Sequence, residues 1–295
     1  MTLLNPNRTR PSSHSYFSQR LRLHYLDWGN ETAPPLLLIH GIHDHCRSWD
    51  WFVESFRSNF HVVVPDLRGH GDSDWAVGSS YMLVDYVYDI AQLIEQQRLA
   101  PLTVVSHSLG GTIASMYSGL YPDRVKNLVI IEGVGLYPGF HATNRGSSIR
   151  RWIDSSRNLA ARSVRKYPSI EAAYERMHEM NPHLTTEQAR HLSMHASNQN
   201  EDGTYSWKFD NYTRNSSPYD MPAEDLISLW QAVDARVLII NSKTGYPHRI
   251  GQDGTDTYFK KLNMVSVDNA GHWTHHDRLD HVVATVRKFL DEQHA

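Results

Sequence analysis

The segment 102–111, LTVVSHSLGG, constrains the fold more than any other part of the chain. An apolar, β-branched run leads into a serine with small neighbours, and helix-forming residues begin at Thr112. This order predicts a strand, a very tight turn and a helix, with Ser108 at the apex of the turn. Its hydroxyl would then lie at a helix N-terminus, where free N–H groups favour developing negative charge. A turn of serine and glycine without chemistry is the alternative interpretation.

Short apolar runs elsewhere predict the other strands of one sheet. Residues 16–28 alternate between apolar and polar and predict a strand pair at a sheet edge. Continuous apolar runs separated by helical patterns indicate parallel strands covered by helices. These runs are 36–39, 61–64, 102–106, 127–131, 236–240 and 264–267. The sequence therefore predicts an α/β fold, with a mostly parallel, twisted sheet and helices on both faces.

The strand pattern stops in residues 135–225. Amphipathic helical patterns occur there near 147–166, 169–180 and 185–197. Some ninety residues without a buried strand, inside an α/β chain, indicate an insertion. We therefore expect a core of 1–134 and 226–295 carrying a helical cap of 135–225. An ordinary set of surface helices is the alternative.

Composition excludes several classes of protein. The net charge of −3 over 295 residues gives no reason to expect a nucleic-acid partner. The single cysteine, Cys46, can form neither an internal disulfide framework nor a zinc ribbon. No apolar run approaches the roughly 18 residues of a membrane span, and the N-terminus lacks the apolar core of a signal peptide. A cytoplasmic location is the resulting expectation.

Polar residues follow the predicted strands, and in a parallel sheet these strand ends meet at one edge. A serine nucleophile there needs a base, and histidine has the suitable pKa. His272 is the best candidate because it lies in a loop after the last strand and follows the serine in chain order. His275 and His276 are the nearest alternatives. His107, the residue before Ser108, is expected to point away from the substrate and to pack or hydrogen-bond behind the turn.

The choice of the acid that orients the histidine depends on the lack of an acidic residue at the usual place. The loop after 236–240 has Gly245 where an acid often stands, and no Asp or Glu occurs before Asp253. Glu132 directly follows the strand 127–131, beside the turn at Ser108. We therefore predict Glu132 as the acid. Asp253 and Asp256 are the other candidates, and a structural ion pair between Glu132 and an arginine is the alternative role.

Two backbone N–H groups are expected to bind an oxyanion: that of Leu109, directly after the serine, and that of Ile42, directly after His40-Gly41. The segment 65–73, PDLRGHGDS, is expected to form a rigid loop in which Asp66 and Arg68 pair. The HxxHxH spacing from His40 does not fit a metal site, and no Gly-rich phosphate loop follows the first buried strand. We expect neither a metal nor another cofactor.

Taken together, His40-Gly41, PDLRGHGDS, SHSLGG and AGHW resemble the α/β-hydrolase fold family, in order and over almost the whole chain. HGIHDHCRSWDWF, Glu132-Gly133 and the glycine at 245 resemble its serine hydrolase-like subgroup. The resemblance implies Ser108 as nucleophile, His272 as base, Glu132 as acid, and a cap in 135–225. The chain departs from the family pattern at two positions. Ser106 stands where the family usually has a glycine in the turn around the nucleophile, and Gly245 stands where it usually has the acid.

A serine at this position argues against dehalogenase and epoxide hydrolase chemistry, for which relatives use an aspartate. The resemblance implies hydrolysis of carboxylic esters or related acyl substrates through an acyl-enzyme. Relatives with the same triad also cleave C–C bonds or, without a cofactor, direct oxygen into an activated ring, and His43 and His45 keep this alternative open. A binding protein that retains the fold is a third hypothesis.

The expected partner is a small apolar or aromatic ester, bound by a monomer or a homodimer. Aromatic residues of the cap and its neighbouring loops are candidates for the pocket wall. The residues that we predict to contact substrate are His43, Trp152, Trp207 and Trp273.

Overall fold

The computed structural model describes residues 10–136, 145–215, 217–219 and 221–292. Its centre is an eight-stranded sheet in the order β1-β2-β4-β3-β5-β6-β9-β10. The strands of this sheet are β1 (Ser12–Ser18), β2 (Leu21–Asp27), β3 (Pro35–Ile39), β4 (His61–Pro65), β5 (Leu102–His107), β6 (Val125–Ile131), β9 (Arg236–Ser242) and β10 (Leu262–Val267).

All neighbouring pairs from β4 to β10 are parallel, whereas β1 pairs antiparallel with β2, and β2 with β4. The predicted α/β fold with a mostly parallel sheet is therefore confirmed, and so is the strand pair at its edge. Every predicted strand is present, because apolar runs that alternate with helices can be buried only in a parallel sheet covered on both sides.

Helices cover both faces of this sheet. Leu37 and Ile39 of β3 belong to one apolar cluster, and Leu36 and Leu38 to the other, as the two-residue period of a strand requires. The first cluster includes residues of α2 (Leu83–Gln96), α3 (Leu109–Leu120) and α7 (Ala223–Ala232). The second includes residues of α1 (Asp50–Val53) and α9 (Leu279–Asp291). Within the described ranges, none of the helices combines the length and apolar character that a membrane span needs.

The sequence pattern of residues 254–262 predicts a helix, and this prediction is wrong. A short 3-10 turn, Thr255–Tyr258, stands there instead, and β10 begins at Leu262. Gly251 and Gly254 adopt positive φ angles of 89° and 79°, which interrupt a helix at its start. The pattern of residues 49–58 also predicts a helix, but the regular structure there is shorter and consists of the 3-10 turn Cys46–Trp49 and α1.

Between β6 and α7 the chain forms α4 (Arg145–Ala160), α5 (Ile170–Met180) and α6 (Thr186–Ala196). A small hairpin of β7 (Ser197–Gln199) and β8 (Tyr205–Trp207) follows, although the sequence pattern indicates no strand there. The Thr185 side chain accepts from the Gln188 backbone in a capping box, which fixes the start of α6.

The cap assigned to 135–225 stays a prediction. Residues 1–9, 137–144, 216, 220 and 293–295 of the predicted domains lie outside the described part of the chain. The α7 helix starts within the last residues of the predicted cap, and its Leu226 and Trp230 belong to the apolar cluster of the sheet. A short helix, α8 (Thr274–Asp277), follows β10.

Helix α3 packs so closely on α7 that Gly119 has no room for a side chain. A Cβ at Gly119 would overlap the backbone carbonyl of Leu229. Replacing an interior helical glycine with alanine ordinarily stabilises a helix by about 1 kcal/mol. At this position we expect the opposite: Gly119→Ala lowers the free energy of unfolding by about 1–3 kcal/mol, measured by urea denaturation. An unchanged or raised value would contradict this packing.

Candidate active site

Ser108 stands at the turn between β5 and α3. Its backbone has φ 51° and ψ −120°, a conformation that a non-glycine residue rarely adopts. Glycines allow the close approach around it: a Cβ at Gly110 would lie 2.5 Å from the Ile39 carbonyl oxygen. Ser106 fits the position of the usual glycine because its Oγ donates to the Val129 carbonyl at 2.9 Å. The segment is therefore a strand, a tight turn and a helix, as its sequence predicts.

The three side chains of the predicted triad form one hydrogen-bonded chain. His272 Nε2 lies 2.9 Å from Ser108 Oγ, and His272 Nδ1 lies 3.2 Å from Glu132 Oε2. Because a carboxylate only accepts, Nδ1 carries the proton, which leaves Nε2 to accept from the serine hydroxyl. The fold thus brings together residues separated by 164 and 140 positions in the chain. This geometry is what a base and its orienting acid require.

Glu132 is fully buried and receives hydrogen bonds on both oxygens. Oε1 accepts from the backbone N–H of Ser242 and from the guanidinium of Arg249. Oε2 accepts from His272 and, at 3.2 Å, from the backbone N–H of Tyr246. A buried carboxylate needs such partners, since an unpaired charge there costs several kcal/mol. Glu132 therefore makes both contacts considered from the sequence, one with the histidine and one with an arginine.

Gly245 explains why the acid comes from the neighbouring strand. A Cβ at Gly245 would overlap Glu132 Oε2 and lie 2.5 Å from Arg249 Nη1. The carboxylate of Glu132 thus occupies the space that a side chain at position 245 would need. Arg249 is the residue that sequence reasoning missed. The signal was a lone arginine in the loop after β9, whose strand end meets that of β6.

The alternative acids and bases have other partners. Asp253 is exposed and pairs with His248 at 3.2 Å, and Asp256 lies in the 3-10 turn of 255–258, where no contact with His272 is recorded among the described residues. His275 and His276 are buried in α8. His107 Nε2 donates to the His272 carbonyl at 2.9 Å, so it hydrogen-bonds behind the turn, as expected.

The two predicted oxyanion donors lie on segments that approach each other closely. Leu109 is the first residue of α3. Ile42 follows Gly41, at which a Cβ would lie only 2.9 Å from the Ser108 Cβ. His40 holds this loop in place, because its Nε2 accepts a hydrogen bond from the Leu67 N–H at 3.0 Å. Burial lowers the pKa of His40, which favours the neutral ring that this bond requires.

The rigid loop of 65–73 is organised by Asp66, but its expected pairing with Arg68 is wrong. Asp66 accepts from His24 Nδ1 at 2.7 Å and from the Cys46 N–H at 2.7 Å. Arg68 instead pairs with Asp89 of α2. Because Asp66 and Arg68 each find a partner on another element, the loop is tied to both faces of the sheet.

His43 contacts residues that follow the small hairpin. Its ring lies 4.3 Å from that of Phe209, and its Nε2 lies 3.2 Å from both Thr213 Oγ1 and Arg214 Nε. Burial, and then the charge of Arg214, lower the pKa of His43 to about 3. The ring is therefore neutral at physiological pH and can accept the hydrogen bond from Arg214.

The three tryptophans predicted to contact substrate have different surroundings. Trp152 lines a cleft of about 990 Å³ with residues such as Trp75 and Tyr212, and Ser108 is not among its lining residues. Trp207 donates to the Tyr167 hydroxyl at 3.0 Å. Trp273, beside the predicted base, packs on the apolar cluster around Leu184 and Leu192. Tyr246, which the prediction omitted, places its ring 5.7 Å from that of His272.

The same combination of a mostly parallel sheet, a tight turn at a serine and polar residues at the strand ends occurs in a known protein family. The family model described as the alpha/beta hydrolase fold matches residues 34–279, which is most of the chain. The chain belongs to the α/β-hydrolase family. The resemblance given by the sequence motifs is therefore confirmed, and hydrolases are among the relatives of the chain.

Individual relatives extend this family assignment. The chain is 25% identical to a serine hydrolase-like protein of Danio rerio over 280 residues, covering 90% of this chain and 84% of the relative. It is 34% identical to epoxide hydrolase 4 of Mus musculus, but over only 38% of this chain and 32% of the relative. Among solved structures, a thioesterase domain from the curacin biosynthetic pathway has a TM-score of 0.81 at 19% identity, covering 94% of this chain and 99% of that domain. At this identity the likeness concerns the fold alone.

The contact between Gly245 and Glu132 can be measured by a double-mutant cycle. Gly245→Ala should lower the free energy of unfolding by about 1–3 kcal/mol, because the new Cβ displaces the carboxylate. In a Glu132→Ala background the same change should cost at least about 1 kcal/mol less. Gly254→Ala is the control: its positive φ makes alanine costly there, but the cost should be equal in both backgrounds, because a Cβ at Gly254 has nothing within 4 Å. Equal costs of Gly245→Ala in both backgrounds, by urea denaturation, would contradict the contact.

Proposed function

We propose that this α/β-hydrolase hydrolyses carboxylic esters or related acyl substrates through an acyl-enzyme on Ser108. The observation that carries the proposal is the hydrogen-bonded chain from Ser108 through His272 to the buried Glu132. A serine hydroxyl becomes a nucleophile only when a base removes its proton, and His272 Nε2 lies where it can do so. Ser108 is the nucleophile, His272 the general base and then the general acid, and Glu132 the orienting carboxylate.

In the first half-reaction, Ser108 Oγ attacks the carbonyl carbon while its proton passes to His272 Nε2. Glu132 stabilises the imidazolium that forms, because it accepts the remaining ring proton at Nδ1. The carbonyl oxygen becomes an oxyanion, which the backbone N–H groups of Leu109 and Ile42 bind. Collapse of this intermediate expels the alcohol or thiol, which takes the proton from His272.

The second half-reaction regenerates the enzyme. Water replaces the leaving group, gives its proton to His272 Nε2 and attacks the acyl carbon bound to Ser108. The same oxyanion donors serve this step, and the carboxylic acid leaves when Ser108 Oγ regains its proton. Arg249 holds the other oxygen of Glu132, so the carboxylate keeps one orientation towards His272 through both steps.

The relatives support an acyl substrate more than an epoxide. The serine hydrolase-like relative matches along most of its length, whereas the epoxide hydrolase matches over 113 residues. Opening an epoxide in this family uses an aspartate nucleophile, and this chain has Ser108. The thioesterase domain shares the fold, and thioesters react by the same acyl-enzyme route.

C–C bond cleavage and cofactor-free oxygenation remain alternatives for the same triad. That hypothesis expected His43 and His45 to bind polar groups of a ring substrate. His45 is buried, and its Nε2 donates to the Leu192 carbonyl at 3.2 Å. His43 is held by Thr213 and Arg214. Neither contact favours this alternative over ester hydrolysis.

The remaining expectations stay predictions of this proposal. They are a helical cap that covers the acyl or alcohol part of the substrate, a small apolar or aromatic ester as partner, and a monomer or homodimer. A cytoplasmic location and substrate contacts from His43 and the three tryptophans belong with them.

A screen with p-nitrophenyl esters of graded acyl length tests the activity. We expect turnover with at least one ester, labelling of the protein by a fluorophosphonate probe, and a loss of about 10⁵-fold or more in kcat for Ser108→Ala. Ser118→Ala is the matched control, because the hydroxyl of this buried serine of α3 donates to the Ala114 carbonyl of its own helix. Absence of turnover at every chain length, together with absence of labelling, would exclude the esterase proposal.

The acid is tested by two carboxamide variants. Glu132→Gln should lower kcat by about 10³–10⁴-fold, because the amide can no longer fix the tautomer of His272. Asp253→Asn should leave kcat unchanged, since Asp253 is exposed and pairs with His248. Steady-state kinetics on the best ester of the screen measure both. The reverse pattern would indicate that the acid lies in the 246–256 loop and is not Glu132.

A further inference from the structure

Three buried polar side chains that the triad does not use meet beside it. Asp44, His107 and His275 are 4%, 1% and 1% exposed, and one ligand atom of each lies within 4.8 Å of the other two. Each residue is close in sequence to a residue of the candidate site, with Asp44 in the loop after β3, His107 at the end of β5 and His275 in α8. Asp44 follows Ile42 by two positions, His107 precedes Ser108, and His275 follows His272 by three.

The polar atoms of these side chains lack partners among the described residues. They are Asp44 Oδ2, His107 Nδ1 and both ring nitrogens of His275. Buried polar groups of native proteins are almost always hydrogen-bonded, because an unmet one costs about 1–3 kcal/mol. Several such atoms in one small space indicate that a polar or charged species belongs between them.

The hydrogen bonds around His107 direct a lone pair into this space. Its Nε2 donates to the His272 carbonyl, so Nδ1 carries no proton in the neutral ring. Because position 41 is a glycine, no side chain of that residue fills the space next to this Nδ1. A Cβ at Gly41 would lie only 2.9 Å from it. Metal ions bind the unprotonated nitrogen of a neutral imidazole, which is what Nδ1 of His107 offers here.

We propose that Asp44, His107 and His275 bind a divalent first-row transition-metal ion, with Zn²⁺ as the best fit. Two imidazole nitrogens and one carboxylate oxygen are donors that zinc prefers, whereas Mg²⁺ and Ca²⁺ prefer oxygen alone. Zinc holds such atoms at about 2.0–2.2 Å, so the three side chains would move slightly inward on binding. The ion would also compensate the charge that Asp44 carries when it is ionised, which a water molecule would not do.

This site differs from the HxxHxH spacing that the sequence made conspicuous. His40 uses Nδ1 to donate to the Gly41 carbonyl and Nε2 to accept from Leu67, so neither nitrogen is available. The proposed ligands come from three separate segments: the loop after β3, the end of β5 and helix α8. An ion there does not touch the substrate. It cross-links the segments next to the oxyanion donor, the nucleophile and the base, and so positions them. The proposal does not depend on ester hydrolysis being the activity.

Metal binding to the full chain, stripped with EDTA, tests the proposal. We expect one equivalent of Co²⁺ to bind with the visible absorption of a low-coordinate site, and Zn²⁺ to displace it. Co²⁺ should also quench part of the tryptophan fluorescence, because the Trp49 ring stacks on His275 at 4.7 Å between centroids. Saturating Zn²⁺ should raise Tm, since a ligand that binds only the native state stabilises it.

Variants locate the site. Asp44→Asn and His275→Gln should each weaken Co²⁺ binding by at least about tenfold, the least that changes around a metal usually cost. His276→Gln is the matched control: this neighbour in α8 is buried and has an unpartnered Nε2 among the described residues, but it is outside the cluster. It should bind Co²⁺ like the parent.

Two results would overturn the proposal. One is no stoichiometric binding of Co²⁺ or Zn²⁺ to the folded parent, which would leave an internal water as the occupant. The other is equal binding by the parent and His275→Gln, which would move the ion to other histidines. If Asp44→Asn does not fold, Trp49→Phe gives the second measurement. It should keep one bound Co²⁺ and lose the fluorescence quenching, and unchanged quenching would contradict the location.

Discussion

The candidate site depends on one buried carboxylate. Glu132 has no exposed surface, and its two oxygens accept hydrogen bonds from the loop after β9 and from His272. Because such a charge is tolerated only when it is fully hydrogen-bonded, these donors must keep their positions for the fold to persist. The same requirement orients the histidine towards Ser108. Stability of the strand ends and alignment of the triad therefore have one physical cause.

Much of this arrangement could be predicted because it follows from local patterns. Apolar runs with helical segments between them require a parallel sheet, and a parallel sheet collects its strand ends at one edge. Ser108, Glu132 and His272 each come directly after a strand, or in the loop that follows it, so their meeting follows from topology. The missing side chain at Gly245 was the informative detail, and the overlap of its Cβ position with Glu132 gives the reason.

The parts that could not be predicted depend on contacts between distant segments. Arg249 is one of many charged residues by sequence, and only the packing of the 241–250 loop against β6 makes it the partner of Glu132. The 3-10 turn at 255–258 replaces a helix because two glycines take positive φ, which the apolar pattern does not reveal. Asp66 and Arg68, two positions apart on one loop, pair with His24 and Asp89 because burial selects partners by position in the fold.

The tight turn at Ser108 gives two neighbouring residues opposite environments. Ser108 points to His272 Nε2, whereas His107 points to the His272 carbonyl and to the buried polar atoms of Asp44 and His275. His272 is thus held by its ring on one side and by its backbone on the other. Any species between Asp44, His107 and His275 would act on the nucleophile and the base through this shared backbone. The strained turn that exposes the serine therefore also links the triad to the buried cluster behind it.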